Sequence, residues 1–228
     1  MTENLTLSII LIMKHLSLND AKGLIEAVKQ EEIALGRPEN TWYFYENHVF
    51  GVAQVAKTIS MKIPGMDPER IYVIALLHDI AKTKEADPNG IYPAVLRPEE
   101  KINRFHGILG YEMLKDKDED AARANLLHTF PWNILPPFEK CSKLFFNNKQ
   151  DYDFIANYIK NNPLKEEDLL IQLADSMANK NGVVTLEQRA KEFAEARKIE
   201  IPQEFFEPYM KLKHYFDKKI NGDIYELF

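Results

Sequence analysis

The chain has 228 residues, of which 45% are hydrophobic and 28% charged, and its formal net charge is −6. These values fit a folded soluble protein with one ample hydrophobic core. The acidic balance argues against broad nucleic-acid binding, which needs Lys and Arg to displace counterions from phosphates. The single cysteine, Cys141, excludes an internal disulfide and suits a reducing cytoplasm, where we expect the protein to act.

Residues 5–13 are apolar and resemble a signal sequence at first sight. No Lys or Arg precedes them, Glu3 does, and no small-residue cleavage site follows. The run is also far shorter than a membrane span. We therefore expect a first helix packed on the core and no membrane association.

Helical periodicity dominates the rest of the chain, and no β-alternation persists. The first predicted helix is capped by Asn19 or Asp20, and the third begins at Asp67-Pro68, where Asp suits the cap and Pro the first turn. A loop is predicted over residues 84–97, and an irregular aromatic segment over 130–150. The predicted helices cover residues 21–35, 43–63, 67–82, 99–115, 119–128, 152–161, 165–180, 185–198 and 203–220. This pattern predicts an all-α single domain.

An imidazole and a carboxylate stand side by side at His78-Asp79, directly after the apolar residues 71–77. Burying such a pair is costly unless something compensates its polarity, as a divalent metal would. Four of the six histidines and two aspartates form an ordered series: His48, His78, Asp79, His106, His128 and Asp175.

Helical spacing places each member of this series where a core residue would lie; His48, for example, shares a face with Val52, Val55 and Ile59. One histidine on an apolar face is usually a hydrogen-bonded core residue. Four of them with two acids are hard to satisfy without a metal. His15 and His214 lie outside the series, and we interpret them as solvated side chains.

Five segments carry the series: "NHVFGVA", "ALLHDIAK", "FHGILGYEML", "NLLHTFPW" and "LLIQLADSMAN". In this order they resemble the HD-domain superfamily of metal-dependent phosphohydrolases over roughly residues 44–180. They are closest to its six-ligand branch, whose members carry two metals. The bacterial HD-type hydrolases that cleave diadenosine tetraphosphate symmetrically have similar segments. The resemblance implies one HD-type domain over residues 1–228, a helical bundle with accessory helices over 1–43 and 181–228.

The resemblance also implies a binuclear site. One ion would be held by His48, His78 and Asp175, the other by His106 and His128, and the catalytic Asp79 would bridge them. A metal-activated water would attack phosphorus in a nucleotide or another phosphate ester or anhydride. The nitrogen and oxygen donors suit iron or manganese, with cobalt, zinc, nickel and magnesium as further candidates. The expected partner is a small phosphorylated substrate rather than extended nucleic acid, and a homodimer is left open.

Two cations are candidates for contact with the substrate. Lys82 matches the lysine of the family's "HDIGK" element, which contacts substrate phosphate, although Ala81 replaces the glycine. Its alternative role is that of a surface lysine at a helix C-terminus, where cations are favoured. Arg104, two residues before His106, is the second candidate.

The remaining charged and aromatic residues receive structural interpretations. We interpret Asp168 as a solvated charge and Glu46 as a surface group or a support for the ligands. Lys84, Arg97 and Lys101 are read as ordinary surface charges. The aromatic residues of segment 130–150 could stack on a nucleobase, but packing is the preferred interpretation for Phe130, Trp132, Phe138, Phe145 and Phe146.

Two other functions stay open on the residues alone. Some relatives with a similar six-ligand arrangement are mixed-valence di-iron oxygenases, and the ligands do not separate that chemistry from hydrolysis. A non-catalytic helical regulatory module is the third hypothesis, and it predicts negligible bound transition metal. Cyclic dinucleotide phosphodiesterases of the HD-GYP class match poorly, because the "GYP" element is missing.

Overall fold

A computed structural model of the chain describes residues 15–34, 39–84, 104–141, 146, 148–198 and 203–228. α-Helices dominate this part of the chain, which confirms the predicted all-α class. Their bounds are α1 Leu18–Ala34, α2 Glu39–Ser60, α3 Pro68–Leu77, α4 His106–Leu114, α5 Glu119–Leu127, α6 Phe138–Cys141, α7 Lys149–Asn161, α8 Glu166–Ser176, α9 Leu186–Arg197 and α10 Gln203–Ile220. Short 3-10 turns cover Lys82–Lys84, Pro131–Asn133 and Ile224–Leu227.

The core is built around α3, which is apolar on nearly every side. Its residues 71 and 73–77 are all buried, as expected for a helix enclosed by other helices rather than lying at the surface. Helix α3 packs on α2 and α5, α2 also packs on α8, and α4 packs on α5. The C-terminal end of α3 therefore lies inside the bundle, where four other helices can reach it.

Asp67 and Asp118 fix the starts of α3 and α5. Asp67 caps α3 by accepting hydrogen bonds from the backbone N–H of Glu69 and Arg70, as predicted. Asp118 caps α5 through the N–H of Ala121, and its carboxylate also receives the guanidinium of Arg70. One buried carboxylate thus ties the start of α5 to the first turn of α3.

A smaller apolar cluster lies under α4 and α5 and includes much of the aromatic segment. Phe130 and Phe146 stack with their rings 5.6 Å apart and nearly parallel, and both are buried. Packing is thus the role of these two aromatics, as predicted. The buried members of this cluster are Phe105, Ile108, Leu126, Leu127, Phe130, Phe146 and Ile155.

Several predicted helix boundaries were wrong: α2 covers Glu39–Ser60 rather than residues 43–63, and α4 begins at His106 rather than at residue 99. Helix α1 begins at Leu18, and its cap is Ser17, whose hydroxyl exchanges hydrogen bonds with Asp20. Helix α3 ends at Leu77 rather than at residue 82, because the chain turns at His78 and Asp79 before the separate turn Lys82–Lys84. The helix predicted to continue to residue 180 ends at Ser176, and a small antiparallel hairpin follows it, formed by β1 (Ala178–Asn179) and β2 (Gly182–Val183).

The interpretation of Asp168 as a solvated charge was also wrong. Asp168 is buried, and its carboxylate receives hydrogen bonds from the Nε and Nη2 atoms of Arg123 at 2.6–2.9 Å. A buried carboxylate is tolerated here because a planar guanidinium pairs with it in two-pronged geometry. Arg123 also donates to the carbonyl of Pro163.

Several predictions fall on residues outside the described ranges. They concern the apolar residues 5–13, the loop over 85–97, Lys101 and Phe145. Among the helices that the structure describes, none combines the length and apolar character that crossing a membrane requires.

Candidate metal centre

The six residues of the predicted series lie together in two groups of three. We call His48, His78 and Asp175 the first triad, and Asp79, His106 and His128 the second triad. Within each triad, one candidate ligand atom from every residue lies within 4.8 Å of the other two. Five separated segments of chain meet at this point.

Asp79 faces both triads with different oxygens. Its Oδ1 lies 3.1 Å from Nε2 of His106 and 3.3 Å from Nε2 of His128. Its Oδ2 lies 3.9 Å from Nε2 of both His48 and His78. The carboxylate therefore lies between the groups, although it is closer to the second triad.

Asp175 supplies the carboxylate of the first triad from the last turn of α8. Its Oδ1 lies 3.1 Å from Nε2 of His48 and 3.6 Å from Nε2 of His78. His48 comes from the middle of α2, which packs against α8.

Two histidines are oriented by the helix ends that they terminate. His78 is the C-terminal cap of α3 and His128 that of α5, where the last carbonyls have no intrahelical donor. Nδ1 of His78 lies 2.6 Å from the carbonyl oxygen of Ala75, and Nδ1 of His128 lies 2.8 Å from that of Asn125. Each ring thus donates its N–H to a backbone carbonyl and turns the lone pair of Nε2 toward the centre, the arrangement typical of metal-binding histidines.

His106 is placed by the start of α4. It is the first residue of that helix, and the N–H of Phe105 donates to the buried carboxylate of Asp151 at 2.6 Å. Its Nε2 lies 3.2 Å from Nε2 of His128. On its other side, Nδ1 lies 3.1 Å from Nζ of Lys82, so Lys82 reaches the edge of the second triad.

Two glycines allow α4 to approach α5 closely enough to join the second triad. A Cβ atom at Gly110 would lie 1.9 Å from Oδ1 of Asn125, and one at Gly107 would lie 2.6 Å from the carbonyl oxygen of Asn125. The side chain of Asn125 in turn donates to the carbonyl of Leu77 at 2.6 Å. The end of α3, which carries His78, is thereby tied to α5.

The pKa shifts of Asp79 and Asp175 indicate that both carboxylates are ionised beside the buried imidazoles. Burial opposes ionisation of Asp79 and Asp175, but their histidine neighbours outweigh it and hold the pKa of both carboxyls well below the usual range. Burial lowers the pKa of His128 despite Asp79, which favours the neutral form that a ligand needs. Burial also lowers the pKa of His78, but Asp175, Asp79 and the Ala75 carbonyl outweigh burial, so this pKa is raised.

The donors fit a divalent cation. They are imidazole nitrogens and carboxylate oxygens without a thiolate, a set that suits first-row transition metals. Within the part of the chain that the structure describes, Nε2 of His78 and Oδ1 of Asp79 are buried without a well-directed hydrogen bond. Buried polar atoms of this kind are costly unless another group completes them, and a bound cation would do so at both atoms.

The structure places the other predicted residues as follows. Arg104 points to Glu112 at 2.9 Å and to Asp151 at 3.4 Å, so its guanidinium already pairs with two carboxylates. His15 and His214 are exposed, as expected. Glu46 lies 3.9 Å from Lys29 at the surface.

Three polar residues near the centre were missed. Gln172, one turn before Asp175, is fully buried and donates to the carbonyl of Leu127. Tyr45, one turn before His48, is buried. Helical spacing from Asp175 and His48 was a signal that could have found both. Tyr209, on α10, had no such signal.

The comparisons with known proteins agree with this geometry. The family model described as "HD domain" matches residues 45–180. That span is more than half of the chain, so the protein belongs to the HD domain family, a superfamily of metal-dependent phosphohydrolases that bind divalent metals. No curated protein and no solved structure matches the chain significantly.

Proposed function

We propose that this protein is a metal-dependent phosphohydrolase that acts on a nucleotide or another small phosphate ester or anhydride. The observation that carries the proposal is the position of Asp79, whose two oxygens face different triads. A carboxylate between two sets of nitrogen ligands is the arrangement that a binuclear hydrolytic site needs.

In this proposal the first triad holds one ion, and His106 and His128 hold a second. Asp79 is shared between them, and iron or manganese is the favoured metal. Such ions, when bound, acidify a water molecule to act as nucleophile and neutralise charge on phosphate oxygens. Residues 1–43 and 181–228 are accessory parts of the same domain.

The protein's own cations bind and orient the substrate. Lys82 is the principal one, because its ammonium lies at the edge of the second triad. A phosphate oxygen there would take the place of Nδ1 of His106 as the acceptor for Lys82. Because the phosphate oxygen is negatively charged, the hydrogen bond would be stronger. Arg104 enters the proposal only as a second cation, since it must first leave Glu112 and Asp151.

For the substrate, we propose a nucleotide, with dinucleoside tetraphosphates as the first compounds to test. The support is the similarity of the five segments to hydrolases that cleave diadenosine tetraphosphate. The acidic chain would repel such polyanions overall, so the proposal requires positive charge to be concentrated at the centre.

The test begins with metal analysis of the purified protein. Metal-depleted protein is then reloaded with Mn²⁺ or, under anaerobic conditions, with Fe²⁺, and phosphate release is screened over nucleotides and dinucleoside polyphosphates. We expect about two ions per chain and turnover without oxygen. Oxygen-dependent turnover would instead favour an oxygenase, and negligible metal would favour a non-catalytic module.

Single substitutions connect the activity to the centre. His78→Ala and Asp79→Ala are expected to lose both metal and turnover. His214→Ala is the matched control, because it removes an exposed imidazole that does not belong to the six-residue series. Turnover that persists in either centre variant after the metal is lost would contradict the mechanism.

A further inference from the structure

Helix α10 lies outside the HD-domain match, which ends at residue 180, yet it packs beside the candidate metal centre. It contacts α8, which carries Asp175, and the turn Pro131–Asn133, which follows His128 closely. The part of the chain after the family match is therefore in a position to act on both triads.

The contact is made through Tyr209. Its hydroxyl donates to the carbonyl of Thr129 at 3.1 Å. Thr129 directly follows His128 of the second triad, and α8, which α10 also contacts, carries Asp175 of the first. The phenol thus binds the backbone next to a candidate ligand of the second triad, from a helix that also packs on α8.

The segment that Tyr209 contacts needs support. Trp132 and Asn133 both have φ in the left-handed region, at 60° and 54°, a conformation that costs energy for residues other than glycine. Helix α10 stabilises it a second time, because Nε1 of Trp132 donates to the carbonyl of Pro208 at 3.1 Å. Oε1 of Gln172, on α8, accepts the N–H of Trp132.

We propose that Tyr209 is a positioning residue of the metal centre, which holds His128 in place relative to the first triad by binding the carbonyl of Thr129 from a helix that also packs on α8. This inference rests on the proposed function. Asp79 is itself a candidate ligand, whereas Tyr209 acts through the backbone carbonyl next to one. Loss of its hydroxyl would leave every ligand present but let His128 move relative to the other ligands.

The test compares Tyr209→Phe with Tyr215→Phe in the full chain. Tyr215 lies on the same helix, and its hydroxyl donates to the partly exposed carboxylate of Glu166, so the control removes the same atom elsewhere. Mn²⁺ is titrated into metal-depleted protein, and electron paramagnetic resonance reports coupling between ions. We expect Tyr209→Phe to weaken Mn²⁺ binding at least tenfold, as for other supports of metal ligands, and to reduce the coupling and kcat more than KM.

Tyr215→Phe should retain the wild-type Mn²⁺ affinity, spectrum and kcat. Equal Mn²⁺ affinity and spectra in the two variants would overturn the inference. Hydrogen exchange of the metal-free proteins separates its failure from that of the proposed function. If the wild type binds no Mn²⁺, the proposed function fails. Faster hydrogen exchange over residues 127–134 in Tyr209→Phe, but not in Tyr215→Phe, would then still support a structural role of Tyr209 beside His128. Unchanged exchange would overturn that role as well.

Discussion

Nζ of Lys82 lies 3.1 Å from Nδ1 of His106, while Nε2 of the same imidazole lies 3.1 Å from Oδ1 of Asp79. An ammonium can only donate, so Nδ1 accepts and the proton of a neutral His106 is on Nε2. A histidine that ligates a cation through Nε2 carries that proton on Nδ1, where it would face the ammonium. Ligation by His106 therefore requires Lys82 to turn away, which makes its charge available to a phosphate.

We predict that Lys82→Met separates metal binding from substrate binding. Mn²⁺ affinity should equal or exceed that of the wild type, because a positive charge and a competing donor are removed. KM should rise about tenfold or more, since a hydrogen bond between charged groups contributes about 1.5–3 kcal/mol. Calorimetric Mn²⁺ titration and steady-state kinetics measure the two effects.

Lys84→Met is the matched control for Lys82, because its ammonium pairs with Glu31 at 2.6 Å instead of with the centre. It should leave both quantities unchanged. Weaker Mn²⁺ binding in Lys82→Met than in this control would contradict the proton assignment at His106.

The close approach of α4 and α5 predicts the effect of enlarging Gly110. A methyl group there would lie 1.9 Å from Oδ1 of Asn125, so Gly110→Ala should destabilise the protein by about 1–3 kcal/mol through overpacking. It should also weaken metal binding, because His106 and His128 lie on these two helices. Urea unfolding and Mn²⁺ titration provide the measurements.

Gly23→Ala is the control for that substitution. Gly23 lies within α1, and a Cβ atom there would meet no described residue within 4 Å. The change should therefore stabilise the helix by roughly 0.5–1 kcal/mol. Equal effects of the two substitutions would show that helix propensity, and not the contact with Asn125, controls the result.

Asp118 predicts a pH dependence of stability. Burial alone would raise the pKa of this carboxyl, but Arg70 and the N–H groups of Leu16 and Ala121 lower it below the usual 3.8. Because the pKa is lower in the folded state, the ionised carboxylate stabilises the fold above about pH 4. That stabilisation is lost as the pH falls through the folded-state pKa.

We expect Asp118→Asn to cost about 3 kcal/mol at neutral pH, since it leaves the charge of Arg70 without its main partner. The difference from wild type should shrink as the pH falls below 3.8. Urea unfolding over a pH series measures it. Asp153→Asn is the control, because the Lys149–Asp153 pair is exposed and solvent screening leaves such a pair little effect on stability. A difference from wild type that is independent of pH would refute the assignment.

The hydroxyl of Tyr45, one turn before His48, is buried and has no hydrogen-bond partner among the residues that the structure describes. Removal of an unsatisfied buried group is neutral or favourable, so Tyr45→Phe should leave the free energy of unfolding unchanged or raise it by up to about 1 kcal/mol. In Tyr225→Phe the lost hydroxyl accepts the N–H of Leu186 at 2.9 Å, and a loss of about 1 kcal/mol is expected. Similar losses in the two variants, measured by urea unfolding, would contradict this prediction.

The sequence by itself determined the helical class and singled out the six residues that lie together at the candidate centre. Helical periodicity is a local property, and the spacing of His48 or Asp175 from apolar neighbours places each on an inward face wherever its helix lies. The order of the five segments was sufficient to indicate the HD domain before any contact was known. The start of α3 was equally local, because Asp67 and Pro68 act within one turn.

Only the tertiary structure decided which oxygen of Asp79 faces which triad, that Asp168 is paired inside the protein, and that Tyr209 reaches the centre from α10. These features depend on residues that are distant in sequence and adjacent only after packing. Whether a carboxylate or a phenol is removed from solvent depends on the residues that it meets across the bundle, and no local sequence pattern specifies those residues. The end of α3 at Leu77 also depends on tertiary structure, because Asn125 of α5 donates a hydrogen bond to the carbonyl of Leu77.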